Sequence, residues 1–335
     1  MNVKSAFSIR EDKMAVQEFY VIIIFYALES LGYNCKFYNS VEESLVESKD
    51  SIYVSISHYY SLRMYLKGYR KQIYWIQGTS PDESFIRNHS YIRKFIISCI
   101  EYFAISKAKY VFMVSESMLK HYQKKYHKDY SFKTYIMPCY NSEIQRELFF
   151  TPGKYEENTF CYVGGLSVWQ CFPETVGLYK QIEDRVPNAK LKVFTGDQDK
   201  AKSILKEKGV KNYEVKYVKP DQLVSELASC KYGFIVRAES PVNYVATPTK
   251  LSNYMAAGLI PIVSNSVGFF EEILGKAENA VVLNGSDDLN KIINITERSI
   301  SAEDVYEEFS TLFSQFYNTD AHIKQIAEKL QTINL

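Results

Sequence analysis

The sequence predicts an α/β protein made of two doubly wound domains facing each other across a cleft. Three observations lead there. Short apolar runs of strand length alternate with helical periodicity through both halves of the chain. A polar stretch with Pro and Gly, TPGKYEEN at 151–158, interrupts the alternation once, near the middle. The 335 residues also fit two domains at roughly 100–200 residues each. Strands regularly separated by helices require crossover connections, which give parallel sheets covered on both faces.

In chain order, Val3 to Ile9 reads as a first strand. Met14 to Leu31 is a helix with Val21, Ile24, Phe25 and Leu28 on one face, ended by Gly32. Strands follow at Cys35 to Tyr38, Ser51 to Ser57, Gln72 to Ile76, Tyr110 to Val114 and Lys133 to Met137. Helices are expected at Tyr91 to Lys107 and Ser117 to Tyr126. After the polar stretch, strands are expected at Phe160 to Val163, Leu191 to Thr195, Glu214 to Tyr217, Tyr232 to Val236, Ile260 to Ser264 and Ala280 to Leu283. The helices between them open near Pro173, Lys200, Pro220, Pro248 and Gly268. The expected division is a first domain over 1–152, a second over 158–300, and a helical tail over 301–335 that packs back across the domain junction onto the first.

Composition narrows the function. The hydrophobic content of 46% supports two cores, and the net charge of +1 argues against a nucleic-acid binder with a basic surface. The six cysteines lack paired metal-ligand spacing and read as buried reduced thiols of a cytoplasmic chain, and the five histidines show no ligand pairing. No metal site is expected. The N-terminus runs straight into a strand with no leader, and Val21 to Leu28, the longest apolar run, is far short of the ~20 residues that span a bilayer. Two clusters, KGYRK (67–71) and KHYQKKYHK (120–128), interleave Tyr with cations; each is either a solvated basic face or a contact for anionic headgroups on the inner face of a membrane.

The most informative stretch is TPTKLSNYMAAGLIPIVS, 247–264. Pro248 opens a helix, Gly258 stops it, and Ile260 to Val263 enter a buried strand. A helix start beside Lys250, with Arg237 delivered by the preceding strand, suggests a diphosphate site; an ordinary helix cap beside two solvated charges has the same pattern. Gly164 and Gly165 would let a phosphate approach the backbone, or form a plain tight turn.

These residues carry a resemblance. YVGGLSVWQ (162–170), YGFIVRAES (232–240), TPTKLSNYMAAGLIPIVS and IYWIQGTSPDES (73–84) resemble segments of the GT-B glycosyltransferases, whose two Rossmann-like domains bind acceptor and donor. The second half is similar to the nucleotide-sugar domain of the large retaining group called family four, and the fourth segment to bacterial polysaccharide and O-antigen enzymes. The resemblance implies transfer of a sugar from a UDP- or GDP-linked donor, with no other cofactor, to a glycan or lipid-linked glycan acceptor. It implies retention of configuration. No DxD-type metal motif stands at a strand end, so metal-independent chemistry is expected. On this reading Arg237 and Lys250 hold the diphosphate, with the backbone of Gly164, Gly165 and Leu166 and of Thr249, Lys250 and Leu251. Asn253 stands where the family places a ribose-binding Glu, and Val245 where it places a Glu near the sugar. The usual Arg and Lys after the first strand of that domain are replaced by Ser167, Trp169 and Gln170. Glu239 either contacts the donor sugar or pairs with a cation.

In the first domain His58 follows a strand, where it either orients an acceptor hydroxyl or simply caps a helix. Glu83 and Asp82 are base candidates for an inverting reaction, or a helix start. Gln77, Gly78, Arg10 and Lys13 complete the acceptor side. Asp197 and Asp199 have metal-motif spacing but are expected to cap a helix. Two rival readings share the architecture: a degenerate partner or sugar-binding subunit, favoured by the missing carboxylates, and a nucleotide-sugar 2-epimerase, for which histidine is scarce.

Overall fold

The computed structural model describes residues 4–10 and 15–333. The expectations for Val3, Lys13 and Met14 lie outside the described residues. The chain forms two compact units, one of residues 1–138 and 318–335, the other of 139–317.

The first unit holds β1 (Ser5–Ile9), α1 (Ala15–Ser30), β2 (Asn34–Tyr38), α2 (Val41–Ser44), β3 (Ile52–Ser55) and α3 (His58–Leu66). It continues through β4 (Gln72–Ile76), α4 (Ser80–Asn88), α5 (Tyr91–Lys107), β5 (Tyr110–Met113), α6 (Glu116–Tyr126) and β6 (Thr134–Ile136). The second unit holds α7 (Arg146–Phe149), β7 (Thr159–Val163), α8 (Phe172–Glu183), β8 (Lys190–Phe194), α9 (Gln198–Glu207) and β9 (Tyr213–Lys216). Then come α10 (Leu223–Leu227), β10 (Tyr232–Ile235), α11 (Pro241–Val245), α12 (Lys250–Ala256), β11 (Ile260–Ser264), α13 (Gly268–Leu274), β12 (Val281–Leu283), α14 (Asp288–Glu297) and α15 (Ala302–Phe316). The last helix, α16 (Thr319–Gln331), returns to the first unit.

Each unit is one six-stranded parallel sheet, ordered β2-β1-β3-β4-β5-β6 in the first and β12-β11-β10-β7-β8-β9 in the second. Burial follows strand position. The inner strands β3, β4, β5, β7, β10 and β11 are buried at every residue, matching their largely apolar runs. The edge strands β2 (NCKFY) and β9 (YEVK) carry charge and are half exposed.

The boundary departs from the expected one. The chain divides after Pro138, and the polar stretch 151–158 belongs inside the second unit. Its hydrogen bonds explain this: the N–H groups of Cys139, Asn141 and Gln145 donate to Thr247 Oγ1, Ser252 Oγ and the Ala256 carbonyl. Lys154 is buried and donates to the Ala228 carbonyl at 3.0 Å, and Tyr155 donates to the Gly258 carbonyl at 2.8 Å. The tail is likewise split, α15 staying with the second unit. Asn318 starts α16 by accepting from the Ala321 N–H at 2.9 Å.

Helix α1 explains the longest apolar run. Tyr20, Ile23 and Ala27 are buried as well as Val21, Ile24, Phe25 and Leu28: Tyr20 meets Trp75 of β4 at 4.5 Å between ring centroids, Phe25 meets Phe37 of β2 at 4.8 Å, and α16 packs along the helix. Tyr135 of β6 anchors α16 through His322 Nδ1 at 2.8 Å and Gln325 Oε1 at 3.0 Å.

Gly258 ends α12 with φ +72°, and a Cβ there would stand 2.8 Å from both Phe149 Cδ1 and Tyr155 Oη. Gly258→Ala should therefore combine a left-handed penalty of about 1–2 kcal/mol with overpacking of roughly 1–3 kcal/mol. Denaturant unfolding of the second unit would register that sum as a lower midpoint.

Candidate functional site

In an open parallel sheet, ligands gather beyond the carboxyl ends of the strands where the order reverses. In the second unit that point lies between β7 and β10. The loop leaving β7 carries Gly164, Gly165 and Leu166, and β10 leads through Val236 to Arg237.

Gly164 has φ +115°, and a Cβ on it would come within 2.9 Å of Lys250 Cε and 3.2 Å of Nζ. The Lys250 side chain thus lies directly across the glycine. Gly165 has open space around it, and Tyr162 holds the turn by donating to its carbonyl at 2.7 Å. Lys250 Nζ donates to Gln170 Oε1 at 2.5 Å and sits 4.4 Å from the Tyr162 ring centroid. Burial, then the neighbouring Arg237 charge, holds its pKa well below the ordinary lysine value. Arg237 is buried, its Nη1 donating to the Trp169 carbonyl at 2.7 Å, and burial lowers its pKa too. Ser264 and Ser266 fix its backbone, Ser264 Oγ accepting its N–H and Ser266 donating to its carbonyl.

Among the described residues neither cation has a carboxylate partner within ion-pair distance. A carbonyl and an amide oxygen orient the two charges without neutralising them. Such an arrangement is costly in a ligand-free protein and becomes favourable when an anion arrives between them.

The backbone donors are placed differently from one another. Helix α12 has seven residues and its start, Thr249, makes no side-chain cap. Leu251 is wholly buried and its N–H already donates to the Pro248 carbonyl at 3.0 Å. The two cations, rather than a long helix dipole, thus carry the positive charge here. The Leu166 N–H donates to Asp197 Oδ2 at 3.3 Å. That corrects the capping role expected of Asp197: it stands at the start of α9 without a side-chain cap, and its carboxylate reaches the glycine loop instead.

Asn253 is buried, and its Oδ1 accepts from the Ser142 hydroxyl at 2.6 Å, tying the 139–142 segment to α12. Val245 is fully buried. Glu239 is exposed in the loop before α11, without an ion pair among the described residues. No local pattern points to Tyr254, which accepts from the Val163 N–H and donates to the Phe234 carbonyl, both at 3.2 Å, and so braces the two switch-point strands. Gly233 of β10 makes room for it, since a Cβ there would strike the Tyr254 ring. The pairing of Gln170 with Lys250 was equally unsignalled.

In the first unit the order reverses between β1 and β3. Arg10, after β1, is turned to Glu18 at 2.7 Å and lies over the Phe37 ring, away from any free role as an anion contact. His58, the first residue of α3 after β3, is buried, and its Nε2 has no partner among the described residues. Asp82 Oδ2, His121 Nε2 and Thr79 Oγ1 share that condition, although Asp82 also pairs with Lys94 at 2.7 Å. Glu83 pairs with Arg87 at 3.0 Å, and burial raises its pKa. Its Oε1 lies against Gly78, where a Cβ would approach to 2.5 Å. Gln77 and Gly78 are half-buried beside it. Asp82 and Glu83 occupy the first turn of α4, as a helix start requires.

Burial first, and then Lys125, depress the His58 pKa from 6.5 to about 4. The folded state keeps the imidazole neutral while the unfolded chain protonates below about 6.5. The stabilisation is therefore complete above the ordinary value and is lost as pH falls toward 4, on the order of 3 kcal/mol in all. His58→Gln should flatten the dependence of the melting midpoint on pH between 4 and 6.5 relative to wild type.

Residues 144–309 match the model of the family described as glycosyl transferases group 1, about half of the chain. No curated protein sequence matches significantly. The fold is similar to sucrose-phosphate synthase from Thermosynechococcus elongatus, at TM-score 0.72 and 13% identity over 98% of both chains. It is similar to HepE of Anabaena in complex with UDP and glucose, at TM-score 0.70 and 12% identity over 99% of this chain and 100% of that one. The lipopolysaccharide outer core galactosyltransferase WaaB aligns at TM-score 0.67 and 13% identity over 98% and 99%. The chain is therefore a divergent glycosyltransferase of the GT-B fold, whose residues 144–309 belong to the glycosyl transferases group 1 family.

Proposed function

We propose that the protein transfers a sugar from a nucleoside diphosphate sugar to a glycan acceptor, carried on a lipid, without a metal ion. The observation that carries this reading is the pair of carboxylate-free cations, buried Arg237 and half-buried Lys250, beside Gly164. As the bond to the anomeric carbon breaks, negative charge accumulates on the leaving diphosphate. Preorganised cations in a dry site stabilise that charge more than they stabilise the bound substrate. Together they supply the positive charge a divalent ion would otherwise bring. A UDP-linked donor is favoured, because HepE, of the same fold, holds UDP and glucose. Were the reaction inverting, Glu83, with its raised pKa and its place over Gly78, would be the acceptor-side carboxylate suited to act as base. Retention of configuration follows the family resemblance.

A thermal-shift panel of UDP, GDP, ADP and CMP with their common sugars tests the donor. A ligand at ~100 times its dissociation constant should stabilise the fold by about 2.7 kcal/mol. Stabilisation by UDP and its sugars is expected; silence toward every nucleoside diphosphate would overturn the proposal.

A further inference from the structure

Helix α5 turns an apolar strip outward that nothing among the described residues covers. Tyr91, Ile92, Phe95 and Ile96 are 52–77% exposed, and exposed Cys99 continues the strip by a turn. Their spacing places them on one face of the helix, while Ile97, Ala104 and Ile105 are buried on the other. A surface helix ordinarily presents charge outward, so four large apolar side chains within two turns form a patch that asks for a partner.

The charge around the strip specifies the partner. Segments 58–72 and 86–109, which carry α3 and α5, contain nine Lys and Arg and a single acid, Glu101, which is buried. Arg63, Arg87 and Lys94 pair with carboxylates; the other six form no ion pair among the described residues. Helix α3 packs beside α5, Tyr65 meeting Phe103 at 5.0 Å between ring centroids, and adds exposed Tyr59 and Leu66. The other basic cluster, 120–128, is not comparable: Lys125 turns inward to Glu101 at 2.9 Å and Lys128 is held by the Tyr102 hydroxyl.

We propose that this face of α5, with α3 beside it, docks on the surface of a bilayer containing anionic lipid. Ile92, Phe95 and Ile96 enter the boundary between headgroups and acyl chains, Tyr91 sits at headgroup level, and Arg93 with Lys67, Arg70 and Lys71 meets the phosphates. A second copy of the chain is a poor occupant, because joining two such faces would crowd their excess positive charge. The surface belongs to the first unit and the donor residues to the second, and the proposal does not depend on the reading of the reaction.

Co-sedimentation of the full chain with vesicles provides the test. Vesicles of phosphatidylcholine and phosphatidylglycerol in equal parts should bind it about tenfold or more tightly than phosphatidylcholine alone, with binding weakened by added salt. The double variant Ile92→Ser with Phe95→Ser should lose about tenfold or more of that affinity while keeping the wild-type melting midpoint, since both side chains are exposed. Equal binding to both vesicle types, no binding to either, or an unimpaired double variant would overturn the proposal. A wild-type dimer in sedimentation velocity that the double variant abolishes would assign the face to a second copy instead.

Discussion

Lys250→Ala should lower sugar transfer by about 10²–10³-fold, the loss expected when one preorganised charge donor at a leaving group is removed, and should abolish the thermal shift produced by the donor nucleotide. The same change should leave the ligand-free melting midpoint unchanged or raise it. Lys250 lies against Gly164 with its pKa pushed down by burial and by Arg237, so in the empty protein its charge is a liability. A lysine placed only for packing behaves in the opposite way, its removal lowering the midpoint and sparing nucleotide binding. Donor turnover and paired melts, with and without nucleotide, separate the two; a lowered midpoint with an intact nucleotide shift would sink the donor role.

Glu101→Ala should be among the most destabilising single changes in the first unit. The carboxylate is 1% exposed and accepts from the Tyr122 hydroxyl at 2.8 Å, the Tyr126 hydroxyl at 2.8 Å and Lys125 Nζ at 2.9 Å. Its removal strands the Lys125 ammonium between α5 and α6 and leaves the two hydroxyls only the Gly78 and Ser98 carbonyls, at a cost of about 3–5 kcal/mol. For a unit of this size the melting midpoint should fall by roughly 10 °C. The one proton of the Tyr122 hydroxyl is shared between Glu101 and the Gly78 carbonyl at 3.1 Å, so the damage should reach the turn of Gln77 and Gly78. Glu101→Gln, which keeps an acceptor oxygen, should recover part of the loss. Differential scanning calorimetry of the three proteins checks the order.

The sequence made most inner strands legible because β3, β4, β5, β7, β10 and β11 are largely apolar runs, and the α12 turn because Pro248 and Gly258 each have one structural use there. Segment 151–158 misled because Lys154 and Tyr155 look solvated in a list of residue types, while both use their polar ends on backbone carbonyls. The split of the tail was written in Asn318, a helix-capping residue, which a single long apolar period over Glu303 to Leu335 concealed. At the site, Arg237 and Lys250 were readable from strand ends and helix starts. Their partners were not, because Gln170, Tyr162 and the Trp169 carbonyl meet them only through the parallel pairing of β7 with β10, which no local spacing encodes. Asp197 fits a capping pattern equally well whether its carboxylate faces α9 or the glycine loop.

The return of α16 to cover α1 bears on how this chain is made. A ribosome releases the strands and helices of the first unit early, yet the outer side of α1 stays bare until the last residues emerge. Until then α1 lacks its α16 neighbour, and β6 lacks the His322 and Gln325 that Tyr135 is built to meet. The second unit, continuous from 139 to 317, can finish first. Maturation of the nascent chain thus runs from the middle outward, and the half made first is the last to close.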